Sequence, residues 1–207
     1  NDLTGYDVQV VTEVAKRMGR EVEFTETTFD AIFAGLTAER YDVVANQISV
    51  NPERQATYAF STPYTVSEGV VVTRADDTSV RSLADVRGKT SAQSVTSNFA
   101  ATAKEAGAKI EAVEGLTQAM ALVKQKRVDM TINDNLAVLE YTKTTGDKDI
   151  KIAVQTGDRT EQAFAFRKDS PLAAEFDTAL TAMRQDGTLA KISDTWFGED
   201  VSGPAAG

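Results

Sequence analysis

Arg54 stands two residues after Pro52 and five after Ser49. A guanidinium is a planar fork that captures a carboxylate through two parallel hydrogen bonds. Ser49 adds a hydroxyl and a backbone N–H where the apolar run Val43-Val44-Ala45, read as a buried strand, comes to its end. Open α/β sheets bind ligands beyond the carboxyl ends of their strands. Arg54 and Ser49 are therefore candidates for anion capture, with Asn46 and Gln47 in the same polar cluster. The plain structural alternative is a solvated arginine in a loop. A second candidate is Asp134, just past the apolar strand Val128 to Ile132. A carboxylate there suits an ammonium group, and it suits equally the N-cap of a helix from Asn135; the two roles are compatible. The third is Thr96-Ser97-Asn98, three capping-type residues before a helix, where free N–H donors and the positive dipole end favour an anion. An ordinary cap is the alternative there.

The rest of the composition narrows the chemistry. The chain has no Cys and no His, which excludes disulfides, thiolate nucleophiles, imidazole bases and His or Cys metal sites. No cofactor and no metal is expected, and no catalytic residue is assigned. A formal net charge of −9 argues against nucleic acid and suits a soluble monomer. No apolar run approaches the roughly 20 residues of a membrane span. With 207 residues, 42% of them hydrophobic, the chain can pack one large domain or two small ones.

The elements that must position these residues follow from periodicity. Val8, Val11, Ala15 and Met18 predict a helix ending at Gly19, and Glu21 to Thr25 alternates as a short strand. Phe29 to Leu36 reads as a helix with Ile32, Phe33 and Leu36 inward. Val70-Val71-Val72 and Thr90 to Val95 read as strands. Helices are expected at Phe99 to Ala106, Leu116 to Gln125 and Asn135 to Thr142, and polar loops at Thr144 to Lys151 and Gln155 to Thr160. Leu172, Phe176, Ala179, Leu180 and Met183 share one helical face; Leu189 to Trp196 forms a last helix. A weak internal repeat relates Ala15–Phe24 to Ala103–Ala112, and Arg40–Asn46 to Arg127–Asn133. Each copy reads helix, Gly, strand, helix, Asp, strand, the pattern of a βαβ-type unit. Two similar α/β lobes are expected, each offering strand ends to a shared cleft.

The run I-S-V-N-P-E-R-x-x-x-Y-A-F-S-x-P-Y, Ile48 to Tyr64, closely resembles the signature of the bacterial extracellular polar-amino-acid-binding proteins, solute-binding protein family 3, the receptors of ABC importers. The resemblance continues through Asp134, Val138, Leu139 and Tyr141, and through A-F-R-K-D-S-P-L and D-G-T-L-A-K-I-S-D-T-W-F-G near the end. It implies an α/β, two-lobed type II periplasmic-binding-protein fold. The implied boundaries are 1–68 and 163–202 for lobe 1 and 69–162 for lobe 2, with 203–207 a linker-like tail. The lobes would join through two crossing strands near 66–70 and 161–165 and close by a hinge. By resemblance, Arg54 and Ser49 hold the α-carboxylate of a free amino acid, and N–H groups near Ser97 and Asn98 assist. Asp134 holds the α-ammonium, and Phe29 packs on the ligand. Gln47, Thr96 and Asn98 contribute to side-chain selection, while Trp196 and Phe197 clamp the first lobe. The stretch G-K-T-S-A-Q-S-V-T-S-N-F, Gly88 to Phe99, is similar to the subgroup that takes up cystine and cysteine. Partners implied are the amino acid and the permease subunits of an ABC transporter. The implied place is the periplasm or the cell surface, free or lipid-anchored.

Family members begin with a strand that this sequence lacks before Asn1-Asp2-Leu3. That strand is either disordered, supplied by another chain, or moved by permutation or insertion, as in a biosensor. A rival class is enzymatic: the same fold carries dehydratases of cyclic acids, which need a general acid or base. Asp134 is the one acid in the expected cleft that could serve. A third class is the ligand-binding domain of a sensor or glutamate-type receptor, which would need linkers into a membrane.

Overall fold

A computed structural model describes residues 3–203. Asn1-Asp2 and Pro204–Gly207, most of the expected tail, lie outside the described residues. The chain divides into two compact units. Unit 1 is Asn1–Thr27, Ile32–Ser67 and Thr160–Gly207; unit 2 is Thr28–Ala31 and Glu68–Arg159.

Unit 1 is built on three long helices, α1 (Tyr6–Arg17), α7 (Leu172–Gln185) and α8 (Thr188–Phe197). It adds most of α2 (Phe29–Thr37), the strand β1 (Val44–Ser49), a short helix α3 (Pro52–Thr57) and β2 (Tyr58–Phe60). The last part of β7 (Ile150–Arg167) pairs antiparallel with β1 and with β2. Its core is a run of aromatic rings. Tyr64 stacks on Phe164 at 4.2 Å between centroids, and Phe176 meets Phe164 and Phe166 edge-on at 5.1 and 5.0 Å. Tyr6 packs on Phe197 at 5.0 Å, so Phe197 does clamp this unit. Trp196 donates its indole N–H to Gln9 at 2.6 Å. Offset and edge-on pairs of this kind add to simple burial.

Unit 2 carries part of β3 (Thr65–Arg74), with β4 (Thr90–Gln93), β5 (Lys109–Ala112) and β6 (Met130–Asp134). β3 and β6 are antiparallel; β6, β4 and β5 are parallel neighbours. Helices α4 (Asn98–Glu105), α5 (Leu116–Lys124) and α6 (Asn135–Thr145) cover this sheet. Val70, Val71 and Val72 are all buried because β3 is covered on both faces. Val70 and Val72 join Met120, Val123 and Val138 on one side, and Val71 joins Met130 and Ile132 on the other. A continuous apolar run is what a doubly covered strand demands.

The internal repeat holds at its helix-ending turns. α1 ends at Gly19 with φ 67° and α4 ends at Gly107 with φ 86°. Arg20 N–H reaches back to Ala15 and Ala108 N–H to Ala103, each at 2.9 Å. Further on, Glu39 and Lys126 are both left-handed, and Arg40 and Arg127 N–H bond to Gly35 and Leu122 at 3.0 Å each. These are the same helix-ending turns in both copies.

Three expectations are corrected. Glu21 to Thr25 forms no strand. Glu21, Glu23, Phe24 and Thr25 are exposed, and the segment pairs with no strand among the described residues. Alternation without a ladder partner does not make a strand. Gln155 to Thr160 is not a loop but the middle of β7, an 18-residue strand whose polar residues there are largely exposed. Polarity signals a loop only where the backbone lacks a neighbour to bond. The loop expected from Thr144 to Lys151 shrinks to a few residues, because α6 runs on to Thr145 and β7 starts at Ile150.

Candidate functional site

Arg54 lies in a helix, not in a loop. Asn51 caps α3 by accepting the Arg54 N–H at 2.8 Å, and Pro52 takes the first helical position, where its missing donor is harmless. The same Asn-Pro pair that ends β1 therefore starts α3. This geometry folds the Arg54 side chain back on the strand it followed. Its Nη1 donates to the Ser49 carbonyl at 3.0 Å, and its guanidinium lies 5.4 Å from the centre of the Phe33 ring. Arg54 is 9% exposed and Ser49 5%. Burial pulls the Arg54 pKa below its ordinary value, with Glu53 opposing weakly. Phe33 in turn leans on Tyr58 at 4.7 Å. Sequence reading took Phe33 for core. The signal was its spacing of four from Phe29, which puts both rings on one face of α2.

Gln47 is half-buried, and its side chain points into unit 1, where Nε2 donates to Asp7 Oδ2 at 3.4 Å. A role in ligand side-chain selection therefore finds no support in the direction its amide takes. Asp7 was not picked out by sequence reading; forty residues separate it from its partner.

In unit 2, Asp134 is both the last residue of β6 and the N-cap of α6, 7% exposed. Oδ1 accepts from Leu136 N–H at 2.9 Å and Ala137 N–H at 3.4 Å. Its backbone N–H donates to Asn133 Oδ1 at 2.8 Å, and it sits opposite Gly69 of β3. Gly69 is needed there: a Cβ would lie 2.6 Å from Thr156 Oγ1 and 3.2 Å from the Phe99 ring. Ser97 caps α4, its Oγ accepting from Ala100 N–H at 3.1 Å, and Asn98 is the first residue of that helix. Thr96 is exposed, and both its N–H and its hydroxyl donate to Asp30 Oδ1, at 3.1 and 2.6 Å. Phe29, half-buried, belongs to the same first turn of α2 as Asp30, and that turn groups with unit 2. The described residues hold no cluster of carboxylates fit for a metal ion, and none of their helices is long and apolar enough to cross a membrane.

The profile of the bacterial extracellular solute-binding proteins, family 3, matches residues 1–199. The chain belongs to this family. The L-cystine-binding protein TcyA of Bacillus subtilis is 55% identical over 97% of this chain and 75% of its own length. The unliganded, open L-cystine receptor of Neisseria gonorrhoeae is 43% identical, with a TM-score of 0.63 over 98% of this chain and 87% of that one. An ancestral arginine-binding protein bound to glutamine is 32% identical and superposes with a TM-score of 0.90 over 96% and 90% of the two chains. The fold of this family-3 protein is thus the α/β fold of the type II periplasmic amino-acid-binding proteins. These relatives are binding proteins rather than enzymes.

Proposed function

We propose that this family-3 protein is the extracellular receptor of an ABC amino-acid importer and that its ligand is a free amino acid, L-cystine or cysteine. One observation carries the reading. A guanidinium is held nearly out of water at a strand end, with Nη1 on the Ser49 carbonyl and its carbon over the Phe33 ring. A guanidinium so placed can give an incoming carboxylate charge-assisted hydrogen bonds. Arg54 and Ser49 take the α-carboxylate, with the α4 start at Ser97 and Asn98 as further donors. Asp134 takes the α-ammonium while it caps α6, since a carboxylate can serve several donors at once. Phe29 packs on the ligand beside Thr96. The choice of cystine or cysteine rests on the names of the relatives and on the Gly88 to Phe99 run. The protein acts as a monomer, free or anchored outside the cytoplasmic membrane, and hands its ligand to the permease subunits. Its binding chemistry includes no turnover.

The test is a thermal-shift screen against the common amino acids and cystine. A ligand at 100 times its dissociation constant stabilises by about 2.7 kcal/mol. A raised melting point with cystine or cysteine alone, lost in Arg54→Ala, is expected. A response confined to another amino acid discards the cystine assignment, and product formation on incubation discards the receptor reading in favour of an enzyme.

A further inference from the structure

The strand end that carries Ser49 is irregular. β1 and β7 pair as Val44 with Ala165, Ile48 with Ala163 and Ser49 with Gln162. Three residues of β1 thus face Phe164 alone, and such a bulge re-aims the strand beyond it. Gln47 sits in the bulge with φ 43°, a left-handed conformation that non-glycine residues occupy at a cost. Its N–H, turned off the ladder, donates to Tyr64 Oη at 3.1 Å and to Asp7 Oδ1 at 3.3 Å. Its Nε2 donates to Asp7 Oδ2, and the Tyr64 hydroxyl donates to Asp7 as well. Gln47 Oε1 is buried with no hydrogen-bond partner among the described residues. Tyr64 is wholly buried, stacked on Phe164, and fixed again by the Tyr6 hydroxyl, which donates to its carbonyl at 3.0 Å.

Three of these features work against stability. The backbone is strained, an amide oxygen lacks a donor, and burial pushes the Asp7 carboxyl above its usual range. Strain kept where regular pairing was available points to what lies next to it. Directly after Gln47, Ile48 and Ser49 rejoin the ladder, and the Ser49 carbonyl takes the Arg54 guanidinium.

We propose that Asp7 and Tyr64 are positioning residues for ligand capture: by holding Gln47 in the bulge they set the backbone of Ser49, and through it the guanidinium of Arg54. The proposal rests on the reading of that strand end as the carboxylate site. Asp7 and Tyr64 touch no ligand themselves; they act through Gln47.

The experiment compares L-cystine binding by calorimetry with stability by urea unfolding, at a temperature where every variant is folded. Wild type, Arg54→Ala, Asp7→Ala, Asp7→Asn and Gln47→Gly are measured. Asp7→Ala loses acceptors that hold the bulge, and its affinity is expected to fall about tenfold or more, the scale of a lost buried hydrogen-bond partner. Asp7→Asn recovers most of that loss. Its Oδ1 still accepts, and its amide can donate to Gln47 Oε1 once the Gln47 amide turns over. Gln47→Gly adopts φ 43° without strain and keeps the backbone N–H that donates to Tyr64 and Asp7, losing only the Nε2 bond, so its stability holds. A merely structural network would move affinity and stability together. Asp7→Ala binding within about twofold of wild type, beside an Arg54→Ala that has lost binding, overturns the proposal. If wild type does not bind, or Arg54→Ala binds normally, the carboxylate site itself is misassigned and the positioning role falls with it.

Discussion

Asp134 has one observed role and one proposed role, and a substitution can separate them. As the cap of α6 it accepts two backbone N–H groups through Oδ1. As a carboxylate only 7% exposed it would, under the proposed function, supply the negative charge for an ammonium. Asp134→Asn keeps the cap, because asparagine is as good an N-cap as aspartate, and removes the charge. The stability loss is then limited to the charge–dipole contribution, about 0.3–1 kcal/mol. Asp134→Ala loses the cap as well, a further cost of about 1 kcal/mol, or roughly 2–4 °C in melting temperature for a chain of this size. Affinity divides the two variants differently. Truncating one partner of a buried charge pair costs about 2–5 kcal/mol, a weakening of about 30-fold to several thousand-fold. Both variants lose this, the asparagine as fully as the alanine. The assay is calorimetric titration of the amino acid into each folded variant, with melting followed in parallel. An Asp134→Asn protein that binds within about threefold of wild type refutes the ammonium role and leaves Asp134 as a cap only.

Two further outcomes test the scaffold. Gly35→Ala in α2 would set a Cβ 2.6 Å from the Tyr41 ring carbon that bears the hydroxyl and force that hydroxyl off the Ile32 carbonyl. The overpacking cost of about 1–3 kcal/mol exceeds the gain of about 1 kcal/mol from helix propensity, so the melting point drops; a rise would mean that Tyr41 yields freely. Asp186 accepts from the Thr188 hydroxyl and N–H and pairs with Arg17 at 2.8 Å, which pulls its pKa down to about 2. A depressed carboxyl stabilises above its ordinary pKa, and that contribution is lost as pH falls from about 4 to about 2. Asp186→Asn should flatten the acid side of the stability–pH curve in that window, and an unchanged curve counts against this pairing in solution.

Much of the scaffold was legible because its causes are local. Gly19 and Gly107 end their helices, and Ser97 and Asp134 cap theirs, each through contacts within a few residues, whereas the short helix that Pro52 opens was not expected. The family signature marked Arg54, Ser49 and Asp134 because it records residue types at short spacing. Periodicity also found the buried valines of β3 and the inner face of α7.

What the sequence by itself determined is most of the long helices, the buried strands of the second unit and the chemical types at their ends. Hydrophobic period, capping chemistry and proline each act within one or two turns. Only the tertiary structure decided how those ends are aimed. Glu21 to Thr25 alternates like a strand yet has no described partner, and Gln155 to Thr160 reads as a loop yet continues β7. The left-handed turn of Gln47 depends on Asp7, forty residues away, and on Tyr64, seventeen away. The fold-back of Arg54 depends on a carbonyl freed by that strand end and on a ring from α2. Ladder pairing and buried polar contacts join residues far apart in the chain, so no short window of sequence contains both partners.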